Sequence, residues 1–207
     1  MKAAEFSGPG SVGLSECEPE APSPGWVRLG ITAAGICGSD LSVLQGLLMP
    51  NEGVRPGHEV AGIVDTLGDG VTLEIGSAVT VEPLVICGSC AHCRTGFTNR
   101  CPSLRAVGLT APGGMADYLN VPATCLHPLP AGVDRQVAAL SEPLAVSFRG
   151  VRLGEVGVGS RVAVLGCGTI GLLAILVARD AGAQEIVATA RYPKQAELAR
   201  ALGATQV

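Results

Sequence analysis

Four cysteines lie within fifteen residues of one another, the densest group of possible metal ligands in the chain. They are Cys87, Cys90, Cys93 and Cys101, spaced C-x2-C-x2-C-x7-C. Four thiolates complete the closed tetrahedral shell that structural zinc takes. The spacing therefore predicts a structural zinc site.

Two other interpretations of these cysteines stay open. Disulfides need an oxidising compartment, and the chain has no apolar stretch of signal-peptide length before Gly8. An iron–sulfur cluster is suggested by Cys101-Pro102, which resembles the end of the C-x2-C-x2-C-x3-C-P run, but the last gap here is seven residues rather than three. Zinc is favoured over both.

A glycine loop near the end of the chain has the spacing of a dinucleotide site. It fits G-x-G-x-x-G, follows a strand-like run at 161–165 and precedes an apolar helical run at 170–181. In that setting the glycines permit a tight turn, the approach of a pyrophosphate and close helix packing, and backbone N–H groups face the phosphates. The predicted cofactor-binding residues are Gly166, Gly168, Thr169, Ile170 and Gly171. The alternative is a set of packing glycines.

A second set of possible metal ligands is dispersed along the chain. It comprises Cys37, the pair His58-Glu59, and Glu142. Each has an ordinary structural explanation: a small buried thiol, a hydrogen-bonded histidine, a charge at a helix N-terminus. Spacing alone does not join them.

Composition limits the class of protein. The 207 residues are 47% hydrophobic and carry a net charge of -4, which argues against a nucleic-acid or anionic-membrane surface. No run approaches the ~20 apolar residues of a membrane span. We expect a cytoplasmic protein whose partner is a small molecule, not a nucleic acid or a membrane.

The secondary-structure elements that must position these residues follow two sequence patterns, one in each part of the chain. Up to about residue 130, short Val, Leu and Ile runs are broken by Gly and Pro, which is typical of short antiparallel strands in a barrel or sandwich. From residue 135 the pattern is helical, and then predicts strands at 161–165 and 184–190 alternating with helices at 170–181 and 193–202. Such alternation makes a parallel sheet.

The order of the motifs resembles that of the zinc-dependent medium-chain alcohol dehydrogenases. The run 57–62 (GHEVAG) is similar to their zinc signature, 37–40 (CGSD) to their first catalytic-zinc segment, and the four cysteines and the glycine loop to their structural-zinc lobe and cofactor domain. The resemblance implies a mixed fold: a GroES-like, barrel-like all-β domain at 1–134 with its zinc lobe at 87–101, a helical connection at 135–159, and at 160–207 the first part of an α/β Rossmann doubly wound parallel sheet that binds NAD(P).

The resemblance also implies ligands for a catalytic zinc. Cys37 and His58 would bind it. Glu142 falls where one branch of the family has a third cysteine, and a Glu-Pro there resembles the polyol, sorbitol-like branch, whose carboxylate binds directly or through water. Glu59 would be an alternating or outer ligand.

The same resemblance implies a route for the substrate proton. Ser39 would accept it, and Asp40 would hold the ring of His58 through its second nitrogen. The histidine that ends the relay in some relatives is replaced by Ser42, so water is expected to carry the proton outward.

The implied activity is hydride transfer between a polyol or secondary alcohol and NAD(P). The alternatives are a threonine-type or carbonyl-reducing dehydrogenase, and a zinc-stabilised binding module without turnover. The position that carries an acid in most NAD sites is Ala190 here, with Arg191 beside it, which favours the 2′-phosphate of NADP. Alternatively, Arg191 is a solvated turn residue.

The number of strands leads to one further expectation. A doubly wound nucleotide-binding sheet needs about six strands, whereas the sequence supplies two and the beginning of a third at 205–207. We therefore expect these residues to belong to a longer enzyme and to be inactive alone. The family resemblance implies that this longer enzyme is a homo-oligomer.

Overall fold

The protein divides into two compact units, Met1–Glu142 and Pro143–Val207. The structure, a computed structural model, describes residues 1–48 and 53–207. The division falls within the segment that the sequence predicts as a helical connection, where a 3-10 turn at Val137–Leu140 leads into a helix at Ser141–Leu153.

The first unit is built on antiparallel strands, as the interrupted Val, Leu and Ile runs predict. Its strands are β1 (Lys2–Gly8), β2 (Ser11–Glu16), β3 (Trp26–Gly35), β4 (Glu59–Leu67), β5 (Ala78–Val81), β6 (Leu84–Val85), β7 (Arg105–Ala106), β8 (Tyr118–Pro122) and β9 (Leu126–Pro128). Five of them form one sheet in the order β8-β3-β4-β5-β9, while β1 pairs with β2 and β6 with β7. Two short helices, α1 (Gly38–Leu44) and α2 (Ala91–Arg94), lie between strands.

Period-two burial creates the core of this unit. Along β3, Val27 and Leu29 are fully buried while the residues between and beyond them are not. On β4, Val60 and Val64 are buried too, but the whole run 59–62 is buried, so burial alternates only from Gly62 to Asp65. Successive side chains of a strand point to opposite faces, so one face of the sheet collects the valines. This packing fixes the register of β3 against β4, on which the position of Cys37 relative to His58 and Glu59 depends.

The second unit alternates strands and helices, and its strands are parallel as predicted. It contains α3 (Ser141–Leu153, which begins in the first unit), β10 (Arg161–Leu165), α4 (Thr169–Asp180), β11 (Glu185–Thr189) and α5 (Pro193–Leu202). A parallel bridge from Val187 to Gln206 marks the predicted start of a third strand. Ile175, Ala178 and Ala199 of the two helices pack with Ile186 of β11 in a small core. The expected fold class, a GroES-like β domain followed by the beginning of a Rossmann-type sheet, is confirmed.

Among the helices of the described residues, none is long and apolar enough to cross a membrane.

Candidate metal centres and dinucleotide loop

The four clustered cysteines converge in a lobe between β6 and β7. Their sulfur atoms all lie within 4.8 Å of one another. The Sγ–Sγ distances are 3.5 Å for Cys90–Cys93, 3.6 Å for Cys87–Cys101 and 3.9 Å for Cys87–Cys93. A tetrahedron with Zn–S bonds of about 2.3 Å has edges of about 3.8 Å, whereas a disulfide has a bond of about 2.0 Å. The four thiols therefore fit a zinc ion and form no disulfide.

Backbone N–H groups point at these sulfurs. Cys93 N–H donates to Cys90 Sγ and Cys87 N–H donates to Cys101 Sγ, both at 3.5 Å. Backbone hydrogen bonds from Ser89 and then Cys90 lower the pKa of Cys87 to about 6, whereas desolvation raises the pKa of Cys93 to about 12. The Cys87 thiol is thus prepared as a thiolate, whereas the Cys93 thiol depends on a cation for deprotonation.

The dispersed candidates Cys37, His58 and Glu59 also meet. One ligand atom from each lies within 4.8 Å of the other two. The reason is strand register: Gly35, which ends β3, pairs with Glu59, which begins β4. Cys37 and His58 lie just beyond these paired ends, so neighbouring strands bring them together although 21 positions separate them in sequence.

A cluster of glycines holds the backbone at His58. Gly57 has a left-handed φ of 95°, and a β-carbon on Gly108 would lie 2.9–3.0 Å from three Gly57 backbone atoms. Gly114 N–H donates to Gly57 O at 2.8 Å and Gly113 N–H donates to Arg55 O at 2.9 Å. Two segments of backbone thus lie in direct contact, and this contact fixes the position from which the imidazole projects.

Gly35 is a site residue that motif reasoning missed. A β-carbon there would overlap Oε2 of Glu59 and lie 2.9 Å from its Cβ. Glu59 is buried, with 6% of its surface exposed, and its carboxylate occupies the space that the missing side chain leaves. No local sequence pattern marks this pair, because the register that places Gly35 opposite Glu59 depends on long-range strand pairing.

Three polar atoms beside this site are buried without a hydrogen-bond partner among the described residues: Ser39 Oγ, Asp40 Oδ1 and His58 Nδ1. The expected bond between Asp40 and His58 is not formed. Instead, Asp40 Oδ2 accepts a 2.8 Å hydrogen bond from Cys37 N–H, at the N-cap of α1. Asp40 therefore orients the loop that carries Cys37 rather than the imidazole.

Glu142 lies near this group but does not belong to it. Burial raises the pKa of Glu142, the nearby His58 opposes that shift, and the charge of Glu59 adds to it. The arrangement places Glu59 rather than Glu142 among the three converging ligand atoms. The part of Glu142 in metal binding, direct or through water, stays a prediction.

The glycine loop has the geometry that each of its glycines predicts. Gly166 has a φ of 103°, a left-handed value that favours glycine. A β-carbon on Gly168 would meet nothing within 4 Å, so the backbone there is open to a ligand, whereas one on Gly171 would overlap Gly166 O. Thr169 and Ile170 open α4, so their N–H groups are among the unpaired donors of its first turn.

Arg191 lies just beyond β11, in the turn before α5. Its side chain is exposed and its guanidinium lies 5.5 Å from the centroid of the Tyr192 ring. Its backbone N–H donates to Gln195 Oε1, which also accepts from Tyr192 N–H. The turn is thus held by Gln195, and the Arg191 charge is directed to solvent.

Residues 23–131 match the model of the alcohol dehydrogenase GroES-like domain, which is more than half of the chain. The chain belongs to the zinc-type medium-chain alcohol and polyol dehydrogenase family. The 2-dehydro-3-deoxy-L-galactonate 5-dehydrogenase of Pseudoalteromonas atlantica is 37% identical over all of this chain and 61% of its own length. The sorbitol dehydrogenase of Halalkalibacterium halodurans is 36% identical over 90% of this chain and 56% of its own length.

Solved structures agree with this assignment. A protein from Sinorhizobium meliloti, described as a zinc-binding dehydrogenase and bound to NADP, superposes with a TM-score of 0.94 at 36% identity, over 99% of this chain and 60% of its own. An Escherichia coli alcohol dehydrogenase complexed with NADH gives 0.91 at 32% identity, over 100% and 62%. The chain spans about 60% of the length of these relatives.

Proposed function

We propose that this chain carries the zinc centre of a dehydrogenase that moves a hydride between a polyol or secondary alcohol and NAD(P). The observation that carries the proposal is the convergence of Cys37, His58 and Glu59 within 4.8 Å, beside the unpaired hydroxyl of Ser39.

The two donor sets differ in the way that structural and catalytic zinc sites differ. Four cysteines fill a shell, whereas one thiolate, one imidazole and one carboxylate leave a fourth position for a ligand from solution. Bound in the second set, zinc would act as a Lewis acid that lowers the pKa of an alcohol oxygen.

The remaining work falls to side chains of the protein. Ser39 Oγ has no partner among the described residues, so it is available to accept the alcohol proton. Ser42 cannot replace the relay histidine while its hydroxyl donates to Gly38 O at 3.0 Å. The proton would therefore pass from Ser39 to water. Glu142, with its raised pKa, would hold a water molecule next to the metal.

The glycine loop would bind the pyrophosphate of the cofactor, with Gly168 open to it and the N–H groups of Thr169 and Ile170 facing it. Arg191 would contact the 2′-phosphate, which favours NADP, because no acid stands at Ala190 to bind a free ribose hydroxyl.

The substrate class follows the relatives. Two of them are named for polyhydroxylated molecules, sorbitol and a deoxygalactonate. We extend this class to the present protein, and place it in the cytoplasm as a homo-oligomer.

The test is the absorbance change of the nicotinamide, measured on protein from the complete reading frame with both cofactors and a panel of polyols, secondary alcohols and threonine. We expect turnover with a polyol that is lost in Cys37→Ser. Zinc-loaded, monodisperse protein without turnover on any member of the panel would contradict the proposal. Turnover on threonine alone would support zinc-dependent hydride transfer but contradict the proposed substrate class.

A further inference from the structure

A cavity of about 270 Å³ lies in the first unit, with none of the candidate zinc ligands in its wall. It is lined by the segment 17–21, by β3 and β8, and by three arginines, Arg28, Arg55 and Arg105. Cavities that bind small molecules combine apolar or aromatic walls with a few polar groups, and Trp26 and Tyr118 supply the aromatic walls here.

The three arginines are not equivalent. Arg28 is ion-paired, because its Nε donates to Asp65 at 2.7 Å. Its Nη2 donates to Thr66 at 2.8 Å, and its guanidinium lies 5.3 Å from the centroid of the Tyr118 ring. Hydrogen bonds from Thr66 and Arg28 hold the pKa of Asp65 below its ordinary value.

The positive charges of Arg55 and Arg105 are not balanced by an ion pair with a described residue. Among residues 1–48 and 53–207, no carboxylate lies within 4.0 Å of either guanidinium. Within the described part of the chain, the Arg55 guanidinium donates one weak hydrogen bond, to the Met1 sulfur at 4.0 Å. Guanidinium groups bind carboxylates in a planar, two-bonded geometry, so the cavity offers a site for one anionic group.

A buried acceptor lies in the same wall. Asn120 Nδ2 donates to Glu20 O at 3.2 Å, but Asn120 Oδ1 is buried and receives no hydrogen bond from a described residue. A buried acceptor without a partner is costly, so an internal water would satisfy it. Asn120 and Arg105 also share a smaller space of about 30 Å³, large enough for one bridging water.

The acids at the cavity limit the charge of the ligand. Glu18 and Glu20 also line it, are exposed, and form no ion pair with its arginines. Their charges would repel a polyanion, whereas an anion with a single charge can face Arg105 and keep a neutral end toward them.

We propose that this cavity binds a small hydroxylated monocarboxylate, with its carboxylate on Arg105 and Arg55 and its hydroxyl groups toward Glu18 and Glu20, whose carboxylates accept hydrogen bonds. The site does not rest on the proposed dehydrogenase function.

The test is titration calorimetry of the zinc-loaded protein with gluconate. Sorbitol is the matched neutral probe, because it carries a CH2OH group where gluconate carries the carboxylate. Arg105→Ala removes one exposed guanidinium, and Arg149→Ala removes another, on α3 and outside the cavity. We expect millimolar or tighter gluconate binding that weakens at least tenfold in Arg105→Ala and is unchanged in Arg149→Ala. Sorbitol, which the proposed function places at the zinc centre, is tested in the Cys37→Ser protein, where we expect no binding.

Cys37→Ser separates this site from the candidate metal centre, where a carboxylate could also bind. Gluconate affinity that survives in Cys37→Ser and falls in Arg105→Ala supports the proposal. Affinity that is lost in Cys37→Ser, that is equal in both arginine variants, that is equal for gluconate and sorbitol in the Cys37→Ser protein, or that is absent at millimolar concentration overturns it.

Discussion

The carboxylate of Glu59 occupies the space in which Gly35 would carry a side chain. The two residues are paired across the end of the β3–β4 ladder, and a β-carbon on Gly35 would overlap Oε2 of Glu59. The missing side chain is thus what lets a buried acid reach the group formed with Cys37 and His58.

Gly35→Ala should therefore displace Glu59 and weaken metal binding at this centre by about tenfold or more, the usual effect of losing the support of a ligand. The readout is cobalt titration, followed by the absorption bands of the bound ion. Gly38→Ala is the matched control, because its β-carbon would meet nothing within 4 Å. Equal cobalt affinity in the two variants would show that Glu59 does not need this space.

Two zinc ions per chain are expected, because two separate groups of ligands converge. Cys90→Ser should lose one ion and unfold its lobe, since closed thiolate sites contribute on the order of 10 kcal/mol of apparent binding energy. Cys37→Ser should lose the other ion and leave the fold intact. Elemental analysis with circular dichroism measures both effects, and Cys17→Ser, at an exposed free cysteine, is the control. One zinc in fully metallated wild-type protein would disprove the two-site arrangement.

The two acids near the second centre should differ in their effect on its metal. Glu59 converges with Cys37 and His58, whereas Glu142 acts on them from outside the group. Glu59→Gln should therefore lower zinc affinity more than Glu142→Gln does. Competition with a chromophoric chelator measures this difference. A larger loss in Glu142→Gln would restore the assignment that the Glu-Pro pair suggests.

The glycine loop allows stability and binding to be separated. Gly171→Ala places a β-carbon onto Gly166 O, and overpacking of this kind costs about 1–3 kcal/mol of unfolding free energy. Gly168→Ala has open space around it, so it should leave the free energy of unfolding nearly unchanged and reduce dinucleotide affinity. Denaturant unfolding and cofactor titration measure the two quantities. Similar stability in both variants would show that the contact at Gly171 relaxes freely.

Arg191→Ala tests the cofactor preference. Losing a hydrogen bond to a phosphate should weaken NADP binding by roughly 1.5–3 kcal/mol and leave NAD binding nearly unchanged. Lys194→Ala is the control, since that lysine is engaged with Glu197 at 2.7 Å. A parallel loss for both cofactors would place Arg191 on the common adenosine part.

Sequence reasoning succeeded where the signal is local. The four cysteines have a spacing that lets one short segment supply all four metal ligands. The loop 166–171 lies between a strand and a helix whose hydrophobic patterns can be recognised in the sequence. The dispersed centre needed a family resemblance, because the register that joins Cys37 to His58 depends on long-range strand pairing.

What the sequence did not show arises from close approach between distant segments. Contacts such as Gly35 with Glu59, or Gly108 with Gly57, leave no periodic mark in the sequence. The absence of a bond between Asp40 and His58 is a matter of side-chain conformation at the start of α1, where Asp40 Oδ2 accepts from the Cys37 N–H instead. The cavity at Arg105 is lined by residues from four regions of the chain.

The distance along the chain between ligands sets an order for metal uptake. Cys87 and Cys101 are only 14 positions apart, so the lobe closes a short loop and can capture zinc before the sheet around it exists. The group at Cys37 cannot form until β3 and β4 have paired, because that pairing creates it. When a chelator is present during refolding, the cysteine lobe should therefore be the first part that fails to form. When the same chelator is added to the native protein, the mixed-ligand centre should lose its metal first, through its open fourth position.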